Sequence, residues 1–505
     1  MSKILLSTLN STYQHASFGL RYLYANLQEF QTQTEICEFT IAQNPRDIVE
    51  KILNRKPEIV GFGVYIWNTR QTLEVVQILK KVAPEITIIL GGPEVSYETE
   101  KQELYQLADY VIKGEAEFLF YEFCKNWKLG IKPSQKLIAG ALPEITKIQF
   151  PYSLYTENDL QTRTLYVEAS RGCPYKCEYC LSSLDVSVRN FPVKEFLGEM
   201  QKLIDKGART FKFVDRTFNL SPKISTEIMQ FFLSHIDKTL FLHFEMVPDR
   251  LPDELKVLIE KFPAGSLQFE IGIQTWNPQV AANISRRQNY PKIQENLKYL
   301  KEKTTVHSHA DLIVGLPGET VESFGIGFNA LAALAPDEIQ VGMLKRLKGT
   351  PIIRHDKAFE MVYGDQPPFQ ILQTKDISYS EMQVMARFAK YWDLVANSGN
   401  FKTTVNYLRT RESLFETFMS LSSFMHKRHP DSFGISLLNL TESLWIFLKD
   451  ELHLNENEAK DLIIQDYTVL GQRDLPKFLR DNSAPDSKSK KKATLHSRQD
   501  RHLLN

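Results

Sequence analysis

The sequence predicts an α/β protein in which a doubly wound parallel sheet is followed by a partial (β/α)6 barrel and then by a helical domain. Short apolar, β-rich runs alternate with helical periodicity over the first 350 residues, and the pattern changes to helices after Pro367-Pro368. This alternation is typical of parallel sheets, because parallel neighbours need a long crossover connection.

The composition is that of an ordinary globular protein. With 505 residues, of which 43% are hydrophobic and 24% charged, the chain is long enough for two to four domains at about 150 residues per domain. The 61 Lys and Arg residues balance the 61 Asp and Glu residues. A zero net charge gives no global attraction to nucleic acid or to an anionic membrane, so nucleic acid is a disfavoured partner.

The predicted location is cytoplasmic. The N-terminal residues lack the apolar run and the cleavage site of a secretory signal. No apolar stretch approaches the roughly 20 residues that span a bilayer. Three of the five cysteines fall within eight positions, which favours a metal or redox site in a reducing compartment over disulfides.

The N-terminal domain is predicted over residues 1–130, with strands at 3–8, 34–40, 58–64, 86–90 and 109–112. Small or polar residues follow the strand ends, and glycine there lets a ligand approach the backbone at the carboxyl edge of the sheet. The alternative interpretation is that the glycines only form tight turns. The candidate ligand contacts are Asn10, Gly91, Gly92, Glu94, Gly114 and Glu115.

A second α/β unit is predicted over residues 163–350, after a proline-containing linker at 131–162. Its strands are predicted at 165–169, 210–215, 240–245, 267–273, 306–314 and 338–344, with helices such as 193–206 and 221–235 between them. Barrels of this kind carry their chemistry on the loops at the carboxyl ends of the strands.

The helical domain is predicted over 351–481 and a disordered basic tail over 482–505. Ser378 and Glu381 form a capping-box signature, and further helices are predicted at 412–427, 437–451 and 456–467. The stripe that follows the capping box has helical spacing and is interpreted as a packing face; it consists of Met382, Met385, Phe388, Trp392 and Val395.

The three clustered cysteines are Cys173, Cys177 and Cys180, directly after the first predicted barrel strand. Soft thiolate ligands select zinc or iron–sulfur chemistry. Structural zinc needs four ligands, and no fourth Cys or His lies nearby in sequence. Three cysteines on a four-iron cluster leave one iron open to a ligand. The isolated Cys37 and Cys124 are interpreted as small buried hydrophobes.

With Tyr179 at its aromatic position, this segment resembles the Cys-x-x-x-Cys-x-aromatic-Cys signature of the radical S-adenosylmethionine (SAM) superfamily, whose core is a TIM-like partial barrel. The resemblance implies that Cys173, Cys177 and Cys180 hold a 4Fe-4S cluster. It also implies that SAM binds the open iron and is cleaved reductively to a deoxyadenosyl radical, with an electron donor such as flavodoxin or ferredoxin.

Other strand ends match the family's later motifs. Phe213-Val-Asp215-Arg-Thr-Phe-Asn219 resembles the second-strand motif near the SAM amino group. Glu245, Gln274 with Arg286, and Gly315 match the third, fourth and fifth strand ends. The resemblance implies that these residues contact SAM. For each one alone, a structural salt bridge or a turn is the alternative.

The N-terminal domain resembles the Rossmann-like cobalamin-binding domain of cobalamin-dependent radical SAM enzymes, through Gly91-Gly-Pro-Glu-Val-Ser96 and Lys113-Gly-Glu-Ala-Glu117. The resemblance implies cobalamin as a cofactor. The Asp-x-His-x-x-Gly motif that places a histidine under cobalt is absent, and His15 is the only histidine of the domain. The C-terminal region resembles the uncharacterised helical domain appended to one group of these proteins.

The leading hypothesis is a cobalamin-dependent radical SAM methyltransferase that acts on an unactivated carbon. The alternatives are a radical rearrangement, cyclisation or oxidation without methyl transfer, and a non-catalytic metal or cobalamin sensor. A methylthiotransferase is disfavoured, because that family carries a second cysteine triplet in its N-terminal domain. The substrate, a small molecule or a macromolecule, is not identified by the sequence, since specificity depends on pocket shape.

Overall fold

The computed structural model describes residues 3–237, 239–430, 434–469, 475–480 and 498–503. The chain forms two compact units. The first comprises Met1–Phe244, Lys345–Arg354 and Tyr363–Gln370, and the second comprises Glu245–Leu344, His355–Val362 and Ile371–Asn505. Within the described ranges, none of the helices has the length and apolarity needed to cross a bilayer.

The first unit begins with a six-stranded sheet in the order β2-β1-β3-β4-β5-β6. All neighbouring strands are parallel, and every residue of β1 is buried. The order reverses between β1 and β3, which is where doubly wound sheets open a ligand crevice. The elements in chain order are β1 (Ile4–Asn10), α1 (Phe18–Ala25), β2 (Thr34–Thr40), α2 (Pro45–Leu53), β3 (Ile59–Gly63), α3 (Thr69–Val82), β4 (Thr87–Gly91), α4 (Glu103–Leu107), β5 (Tyr110–Ile112), α5 (Glu117–Lys128) and β6 (Leu137–Ile138).

The rest of the first unit contains three parallel strands and a short hairpin. Strand β10 pairs with β7 on one side and with β11 on the other, and β8 pairs antiparallel with β9. The elements are α6 (Glu157–Thr162), β7 (Leu165–Val167), β8 (Ser170–Arg171), β9 (Arg189–Asn190), α7 (Val193–Asp205), β10 (Thr210–Phe213), α8 (Pro222–Ser234) and β11 (Phe241–Met246), the last of which continues into the second unit.

The second unit contains the parallel strands β12, β13 and β14 and the C-terminal helices. Its elements are α9 (Asp253–Ile259), β12 (Leu267–Gln274), α10 (Pro278–Asn283), α11 (Tyr290–Lys303), β13 (His307–Val314), α12 (Val321–Ala333), β14 (Glu338–Met343), β15 (Val362–Tyr363), of which Tyr363 belongs to the first unit, β16 (Ile371–Gln373), α13 (Tyr379–Trp392), α14 (Lys402–Arg409), α15 (Leu414–Arg428), α16 (Leu437–Ile446), α17 (Glu456–Val469) and α18 (Arg498–Leu503).

The predicted fold class is confirmed, and each predicted strand is present with its ends displaced by at most two residues. One local expectation was wrong, because the region after Pro367-Pro368 contains strand β16 before its helices. The segment predicted as a linker contains β6 and α6. Helix α18 lies inside the predicted disordered tail, whose residues 482–497 and 504–505 lie outside the described ones. The predicted domain boundaries stay a prediction.

The C-terminal helices begin as the sequence predicts. The Ser378 hydroxyl accepts the backbone N–H of Glu381, whose carboxylate accepts the backbone N–H of Ser378 at 2.8 Å. All five residues of the Met and aromatic stripe are buried, and the Trp392 indole donates to the carbonyl of Ile339 at 2.8 Å. The stripe is therefore a packing face.

Four buried charged residues fasten α6 to the first sheet. Arg21 on α1 pairs with Glu38 on β2 and, at 3.1 Å, with Asp159 on α6. Arg163 pairs with the same two carboxylates at 2.6 and 3.1 Å. Each of the four side chains is at most 10% exposed, so the charges depend on one another for solvation.

Replacing Arg21 by Met should lower the free energy of unfolding by about 3 kcal/mol or more, because two buried carboxylates would share one guanidinium. Denaturant unfolding measures the change. The exposed pair of Lys3 with Glu58 provides the control, and Lys3→Met should change the free energy by less than about 1 kcal/mol. Equal effects of the two substitutions would contradict the assignment of a cooperative buried network.

Candidate functional site

The three clustered cysteines lie in the loop that joins β8 to β9. The N–H of Cys173 donates to the carbonyl of Asp185 at 2.9 Å, which closes the loop at its base. Gly172 has a φ of +89°, and a Cβ at this position would lie 1.9 Å from the carbonyl oxygen of Ser187. Only glycine therefore fits beside Cys173, and this backbone geometry fixes where the first thiol enters the loop.

The thiols lie close enough to influence one another. Burial raises the pKa of the Cys173 thiol, and the nearby charges of Cys180 and Cys177 raise that pKa further. Cys173 and Cys177 are buried, and Cys180 is half-buried. Because a metal replaces the thiol protons, iron binding would relieve this cost.

Among the described residues, no group of three His, Cys, Asp or Glu side chains converges tightly enough to hold a single metal ion. In a four-iron cluster each thiolate binds a different iron, so its ligands lie farther apart than those of one ion. Three cysteines on one loop, none of them in a disulfide, fit the donor set of such a cluster.

A second segment of the first unit supports the loop from beside Glu178. The N–H of Ile352 donates to the carbonyl of Glu178 at 3.0 Å, and Arg354 pairs with the buried Glu178 carboxylate. Tyr179 is half-buried next to these contacts. No local pattern in the sequence indicates this support, because the partners are 174 or more positions apart.

Asp215, just beyond the end of β10, braces the first two barrel strands. Its carboxylate accepts the N–H of Ala169 at 3.0 Å and the hydroxyl of Ser170 at 2.6 Å. Burial raises the pKa of Asp215 to about 7, although these hydrogen bonds oppose the shift. With Ser170 and Thr217 the side chain lines a cavity of about 190 Å³. Contact of Asp215 with SAM stays a prediction.

The other predicted SAM contacts belong to the second unit. Gln274 ends β12 with a φ of +72°, and a Cβ on Gly272 would lie 2.5 Å from its side-chain nitrogen. Arg286 donates to the carbonyl of Gly272, so Gln274 and Arg286 meet around this glycine. Gly315 follows β13 at a φ of +88°. Glu245 lies on β11.

A larger cavity of about 280 Å³ opens at the carboxyl edge of the first sheet. Gly91, Gly92, Gly114 and Glu115 line it, and their contact with a ligand stays a prediction. Gly114 has a φ of +78°, and a Cβ there would meet no atom within 4 Å. The cavity therefore leaves room for a ligand against the backbone of Gly114. Its remaining lining residues are Leu6, Phe18, Gly19, Leu20, Tyr22, Leu23, Gly61, Phe62, Gly63, Tyr65, Ile89, Leu90, Ile112, Ala116, Glu117, Phe120, Glu168 and Arg171.

Three candidate cofactor-binding residues of this domain do not line the cavity. Asn10 donates to Glu38 at 2.9 Å and so belongs to the buried charge network. Glu94 is buried in an ion pair with Lys348 at 2.6 Å. His15 shares a 2.6 Å hydrogen bond with the hydroxyl of Tyr166. All three side chains therefore bind other parts of the protein. A direct cofactor contact by Asn10 or Glu94 stays a prediction.

The polar wall of the large cavity is built around Arg171, two residues before Cys173. Its guanidinium binds Glu115 at 2.7 Å, Glu117 at 2.8 Å and Glu168 at 2.8 Å. It also lies over the ring of Tyr22, 4.7 Å from the ring centre. Burial raises the pKa of Glu168, and Arg171 opposes the shift.

Sequence reasoning missed Arg171, Glu117 and Glu168. Their neighbourhood offered a weak signal, because Arg171 belongs to the cysteine segment and Glu117 ends the Lys113-Gly-Glu-Ala-Glu117 motif. The cysteine loop and the glycine-lined cavity thus share one guanidinium.

The fit of these residues to a corrin can be judged from the cavity itself. Most of the lining side chains are apolar, as a large ring system requires. One carboxylate oxygen of Glu117 is buried without a hydrogen-bond partner among the described residues. Open backbone at Gly114 and an unused acceptor at Glu117 fit a ligand with an apolar body and peripheral N–H donors, such as cobalamin.

Three protein families match successive parts of the chain. Residues 5–123 match the B12 binding domain, residues 167–325 match the radical SAM superfamily, and residues 357–504 match the protein of unknown function DUF4080.

Individual relatives are distant. The cobalamin-dependent radical SAM methyltransferase TokK of Streptomyces tokunonensis is 24% identical over 343 residues, which are 60% of this chain and 49% of TokK. The chain thus spans about half the length of this curated relative.

Solved structures share the fold. The radical SAM methyltransferase TsrM of Kitasatospora setae, solved with cobalamin and a [4Fe-4S] cluster, superposes with a TM-score of 0.59 at 16% identity, covering 73% of this chain and 79% of TsrM. The cobalamin-dependent SAM radical enzyme OxsB, solved with aqua-cobalamin, gives a TM-score of 0.61 at 12% identity, covering 92% of this chain and 79% of OxsB.

The families and the site agree on the cofactors, which are a 4Fe-4S cluster with SAM in the radical SAM domain and cobalamin in the B12-binding domain. Cys173, Cys177 and Cys180 lie in the loop between β8 and β9, and their role as the cluster ligands stays a prediction. The chain is a radical SAM protein with an N-terminal B12-binding domain and a C-terminal DUF4080 domain.

Proposed function

We propose that this protein is a cobalamin-dependent radical SAM methyltransferase that methylates an unactivated carbon. The observation that supports the proposal is the position of Arg171. This residue lies two positions before the first cysteine of the loop, and its guanidinium binds the carboxylates that line the large cavity. Radical methylation needs both cofactors near one substrate carbon, because a radical must be consumed before it reacts with water or protein.

The proposed reaction balances as follows. One SAM accepts an electron and gives methionine and a deoxyadenosyl radical, which takes a hydrogen atom from the substrate to form 5′-deoxyadenosine. A second SAM gives up its methyl group and leaves S-adenosylhomocysteine. Joining that methyl cation to the substrate radical takes a second electron, so each product uses two SAM molecules and two electrons. A low-potential donor such as flavodoxin or ferredoxin would supply them.

When bound, the cluster supplies the electron that cleaves SAM, and cobalamin carries the methyl group. The protein's own residues orient the two cofactor sites and keep water away from them. Gly172 and Asp185 hold the cysteine loop in shape, Asp215 braces that loop's strand against its neighbour, and Arg171 keeps the loop against the cavity wall. Apolar side chains around the cavity exclude water.

Substitution of Cys173 by Ala should abolish cluster binding and all SAM cleavage. The control is Cys124→Ala, because Cys124 is buried in the first domain and its pKa is raised to about 12 by burial, so it stays a neutral thiol. Iron and sulfide analysis after anaerobic reconstitution, with 5′-deoxyadenosine release under a strong reductant, measures both variants. Turnover that persists in Cys173→Ala would refute the cluster assignment.

Methyl transfer can be tested before the substrate is known. Protein loaded with hydroxocobalamin and supplied with reductant and SAM should form S-adenosylhomocysteine in addition to 5′-deoxyadenosine, whereas corrin-free protein should form 5′-deoxyadenosine alone. Chromatography with mass detection quantifies both products. Deoxyadenosine without any corrin-dependent S-adenosylhomocysteine would instead support a radical rearrangement, cyclisation or oxidation.

The buried carboxyl of Asp215 should leave a signature in the pH dependence of stability. Its folded-state pKa of about 7 lies above the ordinary value of 3.8, so the unfolded chain loses this proton first and stability falls as pH rises between the two values. From pH 5.5 to pH 7, wild type should lose about 2 kcal/mol relative to Asp215→Asn. Parallel stability curves for the two proteins in denaturant unfolding would exclude the shift.

A further inference from the structure

Glu117 presents a buried carboxylate oxygen at the lining of the large cavity. Glu117 begins α5 and is only 5% exposed. Its Oε1 binds Arg171 at 2.8 Å, while its Oε2 is buried and has no hydrogen-bond partner among the described residues. A buried acceptor without a hydrogen bond is destabilising, so a bound ligand that donates to Oε2 would remove that cost.

The surrounding charges define the chemistry of that ligand. Arg171 already serves Glu115 and Glu168 in addition to Glu117, and Arg189 takes the other oxygen of Glu115. Three carboxylates share this wall, so an anionic group would be repelled from Oε2. The position therefore calls for a neutral or cationic hydrogen-bond donor, such as an amide N–H.

The rest of the cavity narrows the choice further. The lining is mainly apolar, and glycines border it at the ends of β3 and β4. The lining suits a ligand that presents an apolar surface and amide groups to this cavity, as cobalamin can at the cavity's opening.

We propose that Glu117 is a cobalamin-binding residue whose Oε2 accepts an N–H from an amide side chain of the corrin. Arg171 is the positioning residue that holds the other oxygen and so fixes the direction of Oε2. The inference rests on the proposed function, because it assumes that cobalamin occupies this cavity. The ammonium group of SAM is the other N–H donor available to the protein, and the experiment separates the two.

The test is the affinity of the cluster-reconstituted protein for hydroxocobalamin, measured by equilibrium dialysis. In Glu117→Gln one oxygen must serve either Arg171 or the ligand, so the affinity should fall about tenfold or more. The matched control is Glu122→Gln on the same helix, where the carboxylate is 55% exposed and pairs only loosely with Lys125 at 3.9 Å. Its affinity should stay within about twofold of wild type.

SAM affinity and iron content, measured on the same preparations, should be unchanged in both variants. If Glu117→Gln folds poorly in thermal unfolding, Glu117→Asp is the second variant. It keeps the charge beside Arg171 but withdraws the oxygen from the cavity, and it should also weaken corrin binding.

Each outcome decides something. Unchanged corrin affinity in the Glu117 variants would overturn the inference and leave the proposed function standing. Weaker SAM binding with unchanged corrin binding would also overturn it and assign Oε2 to the SAM ammonium group. A wild-type protein that binds no corrin would overturn the proposed function itself, together with the inference.

Discussion

The guanidinium of Arg171 is the interaction on which the arrangement of the site depends. It belongs to the strand that leads into the cysteine loop, yet its partners Glu115 and Glu117 come from the end of the first sheet. An arginine fork is suited to this role, because its donors are fixed in one plane and can bind several carboxylates at defined directions. The positions of the loop and the cavity are therefore set together.

The charges around this fork also explain why the wall is polar on one side only. Glu168 would be costly to bury alone, and burial does raise its pKa, but Arg171 compensates the charge. The remaining lining of the cavity is mainly apolar. A bound ligand would thus contact one polar edge, whose hydrogen bonds fix its orientation, and an apolar surface, which buries its apolar area.

A second buried network also joins segments that are distant in sequence. It is formed by Arg21, Glu38, Asp159 and Arg163. It fastens helix α6, in the segment predicted as a linker, to the first sheet. The same network engages Asn10, which explains why a polar residue at a strand end need not face a ligand. Polar side chains at strand ends often bind a ligand. A buried carboxylate such as Glu38 can bind the same side chain instead.

The sequence by itself determined the two parallel sheets, because short apolar, β-rich runs that alternate with helical periodicity are local signals. It also predicts Cys173, Cys177 and Cys180 as the cluster ligands, since their spacing within one loop is a property of the chain alone. It could not show that Arg171 meets Glu117 or that Glu94 pairs with Lys348, because these contacts join segments 54 and 254 positions apart. Only the tertiary structure decided them, since the choice of partner for a buried charge depends on which elements pack together and on which neighbours compete for it.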